Sequence, residues 1–136
     1  MRISRLVPLL GLGVVWSCAS VPRPPRGQVL PVAVDVRCTG PNVVFSVSPW
    51  HLELAAGDEV VWQLADATQN IEIRKRQSAW PFDDNKYTGT QADPPTGKAM
   101  KGGQNGKSFR YSIVVNCQGG EGARRVELDP DLYIKR

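Results

Sequence analysis

The residues of this sequence best suited to chemistry are three cysteines, Cys18, Cys38 and Cys117, and a single histidine, His51. A thiolate can act as a nucleophile, bind a metal or form a disulfide, and an imidazole can act as a base or a metal ligand. Three is an odd number, so one cysteine needs a role other than a disulfide within the chain. The sequence around each cysteine distinguishes these uses.

Cys18 ends a segment with the layout of a secretory signal peptide. "MRISRLVPLLGLGVVWSCAS" places two arginines before an apolar run from Leu6 to Trp16, and small residues follow around the cysteine. The run is too short to span a bilayer, which takes about 20 residues. We therefore predict that residues 1–17 form a signal peptide that is removed when the protein is exported.

"VWSC", Val15 to Cys18, resembles the lipobox of bacterial lipoproteins, in which an aliphatic residue and two mostly small residues precede an invariant cysteine. Trp16 departs from this pattern. The resemblance implies that Cys18 carries a lipid and that the protein is attached to a membrane through it. The alternative is ordinary signal-peptidase cleavage after Ala19, with Ser17 and Ala19 as the small pair.

The rest of the chain is predicted to be a tether and one domain. Residues 18–29 are rich in proline and arginine, which favours an extended tether. Residues 30–136 suffice for one domain of about 100 to 150 residues. The net charge of the whole chain is +4, and loss of Arg2 and Arg5 with the leader leaves 15 basic and 13 acidic residues. This small, scattered charge does not indicate nucleic acid as a partner.

If Cys18 carries lipid, Cys38 and Cys117 remain as a pair in an oxidising compartment. Alternate apolar residues lead from Val32 to Cys38 and from Phe109 to Cys117. Alternate residues of a strand lie on one face, so both thiols are expected to face the core. We predict a Cys38–Cys117 disulfide; the alternative is two unrelated buried thiols.

Short apolar segments bounded by turn residues predict an all-β fold, a β-sandwich of seven or eight strands. The predicted strands are Leu30 to Cys38, Asn42 to Val47, His51 to Leu54, Glu59 to Leu64, Asn70 to Arg76, Phe109 to Cys117, Ala123 to Leu128 and Leu132 to Lys135.

Residues 77–108 follow neither the period of a strand nor that of a helix, which predicts one long irregular loop. Its Trp80, Phe82 and Tyr87 either cap the core or form a surface for a partner, and capping is favoured because the end of a sandwich needs apolar cover. We expect shortening of the loop between residues 78 and 101 to change thermal stability little and to remove partners.

Basic residues form a second candidate partner surface. Arg74, Lys75 and Arg76 lie on one predicted strand, and Arg124 and Arg125 lie on another. If the two strands are neighbours, these residues form a positive face. The plainer interpretation is an edge strand that charge protects against aggregation. The candidate surface therefore comprises the four arginines and the three aromatic residues of the loop.

"VSPWHLELAAGDEVVWQL", Val47 to Leu64, resembles the cupredoxin-like family, in which a proline-marked strand leads through a Gly-Asp turn into a V-x-W strand. "FRYSIVVNC" and the last pair of strands would supply the closing part of that fold. The resemblance implies a Greek-key β-sandwich that is often exported.

The copper chemistry of the family is not expected here. Blue-copper sites combine two imidazoles, a thiolate and a weak axial ligand. The resemblance places the first histidine near Asn70 and the ligand cysteine near Val115, and residues 118–125 contain no histidine. His51 precedes the V-x-W strand and has no catalytic partner in the sequence. We therefore predict no metal and no cofactor.

Together these features lead us to expect a non-catalytic binding or scaffolding module of the bacterial envelope. It would be lipid-anchored, in the outer membrane or facing the periplasm, with an envelope protein or ligand as its partner. The alternatives are a copper-binding or electron-transfer cupredoxin and a small envelope enzyme that uses the long loop.

Overall fold

The computed structural model describes residues 27–100, 104–117 and 124–135. Residues 1–17, Cys18 and most of the tether lie outside these ranges. Within the ranges no helix is long and apolar enough to cross a membrane. The described residues form strands β1 (Val29–Thr39), β2 (Asn42–Ser48), β3 (His51–Leu54), β4 (Glu59–Leu64), β5 (Asn70–Lys75), β6 (Lys86–Thr90), β7 (Thr96–Lys98), β8 (Ser108–Cys117), β9 (Arg124–Leu128) and β10 (Asp131–Ile134).

The strands form two sheets with a shared core, which confirms the predicted all-β sandwich. The first sheet has the order β2-β1-β4-β7, and the second has the order β3-β10-β8-β5-β6, with β9 also paired to β8. The pairs β1/β4 and β3/β10 are parallel. Chain direction alternates in the other pairs, so both sheets are mixed.

The alternation of apolar and polar residues along each strand determines which face of each sheet packs against the other sheet. In β1, Val32, Val34 and Val36 are buried while Ala33 between them is exposed. β4 and β5 follow the same period of two, which places one side of each strand toward the opposite sheet. Burial of these side chains supplies the main favourable term for folding.

Trp62 of β4 lies at the centre of the sandwich and is fully buried. Its ring packs edge-on against Phe82 at a centroid distance of 5.7 Å and against Tyr111 at 6.0 Å. The indole N–H donates a hydrogen bond to the Tyr111 hydroxyl at 3.4 Å. Burial raises the pKa of Tyr111 to about 12, so its hydroxyl stays protonated at neutral pH. Gly97 of β7 lies so close to this cluster that a Cβ there would be 3.1 Å from the Trp62 ring.

Two strands lie within the segment predicted to be irregular, so the described residues form ten strands instead of the predicted seven or eight. β6 pairs with β5, and β7 pairs with β4. Both strands are short, and their threonines and glycines show no apolar alternation, so backbone pairing defines them. The structure therefore favours the opposite of the expectation for residues 78–101: shortening this segment should lower stability, because the deletion would remove an edge strand from each sheet.

The Gly57-Asp58 turn fixes the start of the folded body. The buried Asp58 carboxylate accepts a hydrogen bond from the backbone N–H of Ala55 at 2.8 Å and another from Gln28 at 3.1 Å. Gly57 has a φ of 93°, which a residue with a side chain rarely adopts. The chain thus enters β1 from a defined position beside this turn.

A disulfide joins the two sheets between Cys38 of β1 and Cys117 of β8, which confirms the predicted pairing. The Cα atoms are 6.3 Å apart, within the usual range for a disulfide. Cys117 is buried and Cys38 packs against the core. The crosslink spans 79 residues, so loop-closure entropy gives a stabilisation of about 4 kcal/mol.

We expect replacement of both cysteines, Cys38→Ser with Cys117→Ser, to lower the free energy of unfolding by about 2–5 kcal/mol, because the unfolded chain regains freedom. Urea unfolding followed by circular dichroism measures this change. Cys18→Ser is the matched control and should leave the unfolding midpoint of the body unchanged. Equal stability of the double variant and the control would contradict the structural role of the crosslink.

Candidate partner-binding surface

The basic residues of the predicted surface do not lie on adjacent strands. β8 separates β5 from β9, because it pairs with β5 along one edge and with β9 along the other. Arg74 lies opposite Ser112, and Arg125 lies opposite Asn116, on the outer face of the second sheet. Arg124 lies opposite the inward-facing Cys117 and so belongs to the other face.

Acidic residues pair with the arginines of this outer face. Arg125 is 3.9 Å from Glu127. Arg74 forms an ion pair with Glu72, and Arg76 forms one with Asp129. The face is therefore of mixed charge, which corrects the hypothesis of a positive surface. The physical reason is the spacing, since Glu72 and Glu127 stand two residues from an arginine on the same strand and thus on the same face.

Two of the acidic residues in these ion pairs flank a buried apolar side chain in the middle of the outer face. Val114 of β8 is buried although it points away from the core. It lies between Glu72 of β5 and Glu127 of β9, whose side chains flank it. Ser112, also buried, donates a hydrogen bond to Asp129 at 3.1 Å. The arginines thus pair with the same acidic residues that lie beside Val114 and Ser112.

Two of the three aromatic residues of the predicted surface lie in the core. Only 6% of Trp80 and 2% of Phe82 is exposed, and their ring centroids are 5.0 Å apart. Phe82 forms an isolated bridge with Ala99, so this segment spans the side of the sandwich between β6 and β7. Trp80 and Phe82 therefore cap the core and are unavailable to a partner, which corrects their inclusion in the candidate surface.

Tyr87 is half-buried and fixes the loop that carries these rings. Its hydroxyl donates to the Asp83 carboxylate and accepts from the backbone N–H of Asp84 at 2.9 Å. The carbonyl of Asp84 in turn accepts a hydrogen bond from the Trp80 indole at 2.7 Å. Burial and then Asp83 raise the pKa of Tyr87, while the tyrosine hydroxyl lowers the pKa of Asp83. Tyr87 is thus part of the cap.

The positions that the resemblance assigns to copper ligands lie on neighbouring strands. Asn70 begins β5, and its neighbour Ile71 lies opposite Val115 of β8. Val115 is buried in the core. Within the described residues no three His, Cys, Asp or Glu side chains are grouped so that they could hold a metal ion.

His51 lies on the outer side of β3 and is exposed, because it alternates with the buried Leu52 and Leu54. Its Nδ1 atom is 2.6 Å from the Asp131 carboxylate on the parallel neighbour β10. Within the described residues, this contact is the hydrogen bond of the His51 side chain. Both side chains are about half exposed to solvent.

Sequence reasoning missed an apolar surface on the opposite side of the sandwich from the aromatic cap. It comprises Val43, Val44 and Phe45 of β2 and the nearby Trp50, here called the β2/β3 patch. Their exposed fractions are 37%, 61%, 50% and 44%. Solvent-exposed apolar residues grouped in this way mark interaction sites, whereas isolated ones are common. The patch is the candidate partner-binding surface.

The signal for this patch was present in the sequence. Three consecutive apolar residues, Val43 to Phe45, cannot all face one core from a strand, because neighbouring side chains point to opposite faces. At least Val44 had to point outward. The exposure of Phe45 could not be inferred, because it depends on how far the opposite sheet extends.

The chain matches none of the models of known protein families, and no curated protein matches it significantly.

We expect Trp80→Ala to lower the free energy of unfolding by about 3–5 kcal/mol, because it opens a cavity beside Phe82 in the cap. Trp50→Ala is the matched control, since it removes the same side chain from an exposed position and should change stability by less than about 1 kcal/mol. Urea unfolding of both variants at low protein concentration gives the comparison. A large loss for Trp50→Ala, or none for Trp80→Ala, would contradict the assignment.

The Arg76–Asp129 pair predicts a pH dependence. The Arg76 guanidinium lowers the pKa of the Asp129 carboxyl, so the pair stabilises the folded state above the pKa of the unfolded carboxyl, about 3.9, and this contribution disappears as pH falls through the lower folded value.

We expect Arg76→Gln to have a lower free energy of unfolding than wild type at pH 7. At a pH where the Asp129 carboxyl is protonated, the two free energies should be equal. Urea unfolding at neutral pH and again about two units below the unfolded pKa measures the difference. Lys75→Gln removes the same charge from the adjacent residue and is the control. A deficit of Arg76→Gln that is independent of pH would exclude the ion pair as its cause.

Proposed function

We propose that this protein is a non-catalytic binding module of the bacterial envelope, displayed on a membrane by a lipid on Cys18. The β2/β3 patch is the observation that carries the proposal. Six large apolar side chains of the described residues are exposed, and four of them lie on β2 or in the turn that follows it, at one edge of the first sheet. Such a group is suited to contact with another protein.

Several features support export and display. The leader-like residues 1–17 and the lipobox-like "VWSC" precede a tether rich in proline, which favours an extended chain. The Cys38–Cys117 disulfide belongs in an oxidising compartment. The tether would enter the body beside the Gly57-Asp58 turn, where Gln28 is hydrogen-bonded.

We also infer a cupredoxin-like sandwich, without copper chemistry. Pro49 stands where the chain passes from β2 in the first sheet to β3 in the second. The Gly57-Asp58 turn leads into β4, where Val60 and Trp62 of the V-x-W motif are buried. These features support the resemblance. We do not propose copper transfer, because Asn70 and Val115 occupy the positions where the family would have two copper ligands.

A photocrosslinking experiment in bacterial cells tests the proposal. The full chain carries a photoreactive phenylalanine analogue at position 45 in the patch, or at position 88 on the exposed part of β6 as control. We expect illumination to give crosslinked adducts from position 45 and few from position 88. The mass of the membrane-extracted protein should show loss of the leader and addition of acyl chains.

Cys18→Ser should move the protein from the membrane fraction to the soluble fraction, because one lipid-bearing residue provides the anchor. Membrane association that persists in this variant would refute the anchor. Equal adduct yields from positions 45 and 88, or none from either, would refute the binding surface.

A further inference from the structure

Within the described residues five strands have a single strand partner, and four of them carry features that hinder pairing with another strand. On β9 these features are the charged residues Arg124, Arg125 and Glu127. β7 has three residues, ends at Lys98 and follows two prolines. β3 has four residues, and its outer face carries His51 and Glu53. On β6, Lys86 supplies charge, and the chain folds back so that backbone of Asp93 lies against Gly89. Short strands, charge and covering segments are the usual protection of a sheet edge.

β2, the fifth edge, has none of these features within the described residues. Its seven residues, "NVVFSVS", include neither a charged residue nor a proline. Within the described residues its one strand partner is β1. In an antiparallel pair, alternate residues direct their backbone N–H and C=O groups away from the partner, so β2 offers free donors and acceptors along its outer edge. A long, uncharged, apolar edge is suited to the addition of another strand.

The inner side of β2 extends beyond the core. Phe45 lies opposite Val36, and Val43 lies opposite Cys38, which places both on the face that meets the second sheet. Val36 is buried, whereas half of Phe45 is exposed. The second sheet therefore leaves half of the Phe45 side chain uncovered, and this gap lies beneath the edge of the first sheet.

We propose that a second copy of this chain fills this space, and that the two copies pair through β2 in antiparallel orientation about a two-fold axis at Phe45. The first sheets of the two copies then form one continuous sheet of eight strands. This inference rests on the proposed binding function and names its partner. The interface is isologous, so one strand supplies both of its halves.

The sequence of β2 is complementary to itself in this register. Phe45 lies opposite Phe45 of the second copy, and Val43 lies opposite Val47, all on the inner face. On the outer face Asn42 meets Ser48, and Val44 meets Ser46. Directly opposite residues of antiparallel strands contact each other, and the uncharged strand brings no like charges together. A different partner would need a matching strand, whereas a second copy supplies one.

Residues paired about Phe45 share a face, so the second sheets of both copies lie on the same side of the joined sheet. The two Phe45 rings meet at the two-fold axis and provide apolar side chains for the junction. Trp50, two residues beyond β2, is also exposed in the single chain.

Sedimentation equilibrium of the full chain, extracted from membranes in a neutral detergent, tests the inference. An edge-to-edge interface is small, at the weak end of specific interfaces, so we expect a monomer–dimer equilibrium in the micromolar range. Phe45→Lys places two like charges opposite each other at the axis and should weaken dimerisation at least tenfold. Gln63→Lys, on the exposed outer face of the same sheet, adds the same charge and should leave the equilibrium unchanged.

Cysteine crosslinking tests the register. Phe45→Cys places two thiols at directly opposite positions, where the distance permits a disulfide. It should form a reductant-sensitive dimer faster than Thr88→Cys, a control on β6, and faster than Val44→Cys, whose thiols are displaced along the strands. Equal crosslinking rates for the three variants would overturn the pairing through β2.

A wild-type chain that stays monomeric at about 100 times the expected dissociation constant would overturn the inference. The cellular photocrosslinking then separates the two proposals. Adducts from position 45 of twice the chain mass support self-association. Adducts that contain only other envelope proteins would leave the binding function standing and remove the second copy as its partner.

Discussion

The burial of Trp62 between the two sheets is the contact on which the rest of the structure depends. Its ring meets Tyr111 from the opposite sheet and Phe82 from the segment that closes one side. Aromatic rings of this size contribute a large share of the apolar area that a small domain can bury. The indole N–H of Trp62 donates a hydrogen bond to the Tyr111 hydroxyl, so burial of this polar group costs little free energy.

This contact also explains why the two sides of the sandwich differ. The rings of Trp80 and Phe82 cover the side where β6 and β7 lie and continue the cluster around Trp62. On the other side the chain passes directly from β2 to β3, and the inner side chains of β2 extend beyond the second sheet. One side is thus closed by residues of the chain itself, and the other presents apolar side chains to solvent. The proposed functions belong to the open side.

The fold class and the disulfide could be predicted from the sequence because both depend on local alternation. The period of two in β1 and β8 places Cys38 and Cys117 on inner faces whatever the strand order. The candidate surface could not be predicted, because burial of Trp80 and exposure of Phe45 depend on the extent of the opposing sheet. β6 and β7 were missed for a related reason, since edge strands rich in threonine and glycine are defined by backbone pairing and leave little hydrophobic pattern.

The close approach of Gly97 to the Trp62 ring has a consequence for the way this sequence can change. A side chain at position 97 would meet both Trp62 and Phe82, so glycine there is a steric complement of the two rings. A larger side chain at one of these positions can be accommodated only if the side chain at another position loses a matching volume. Positions 62, 82 and 97 are therefore sterically coupled, and a larger residue at 97 requires a smaller ring at 62 or 82.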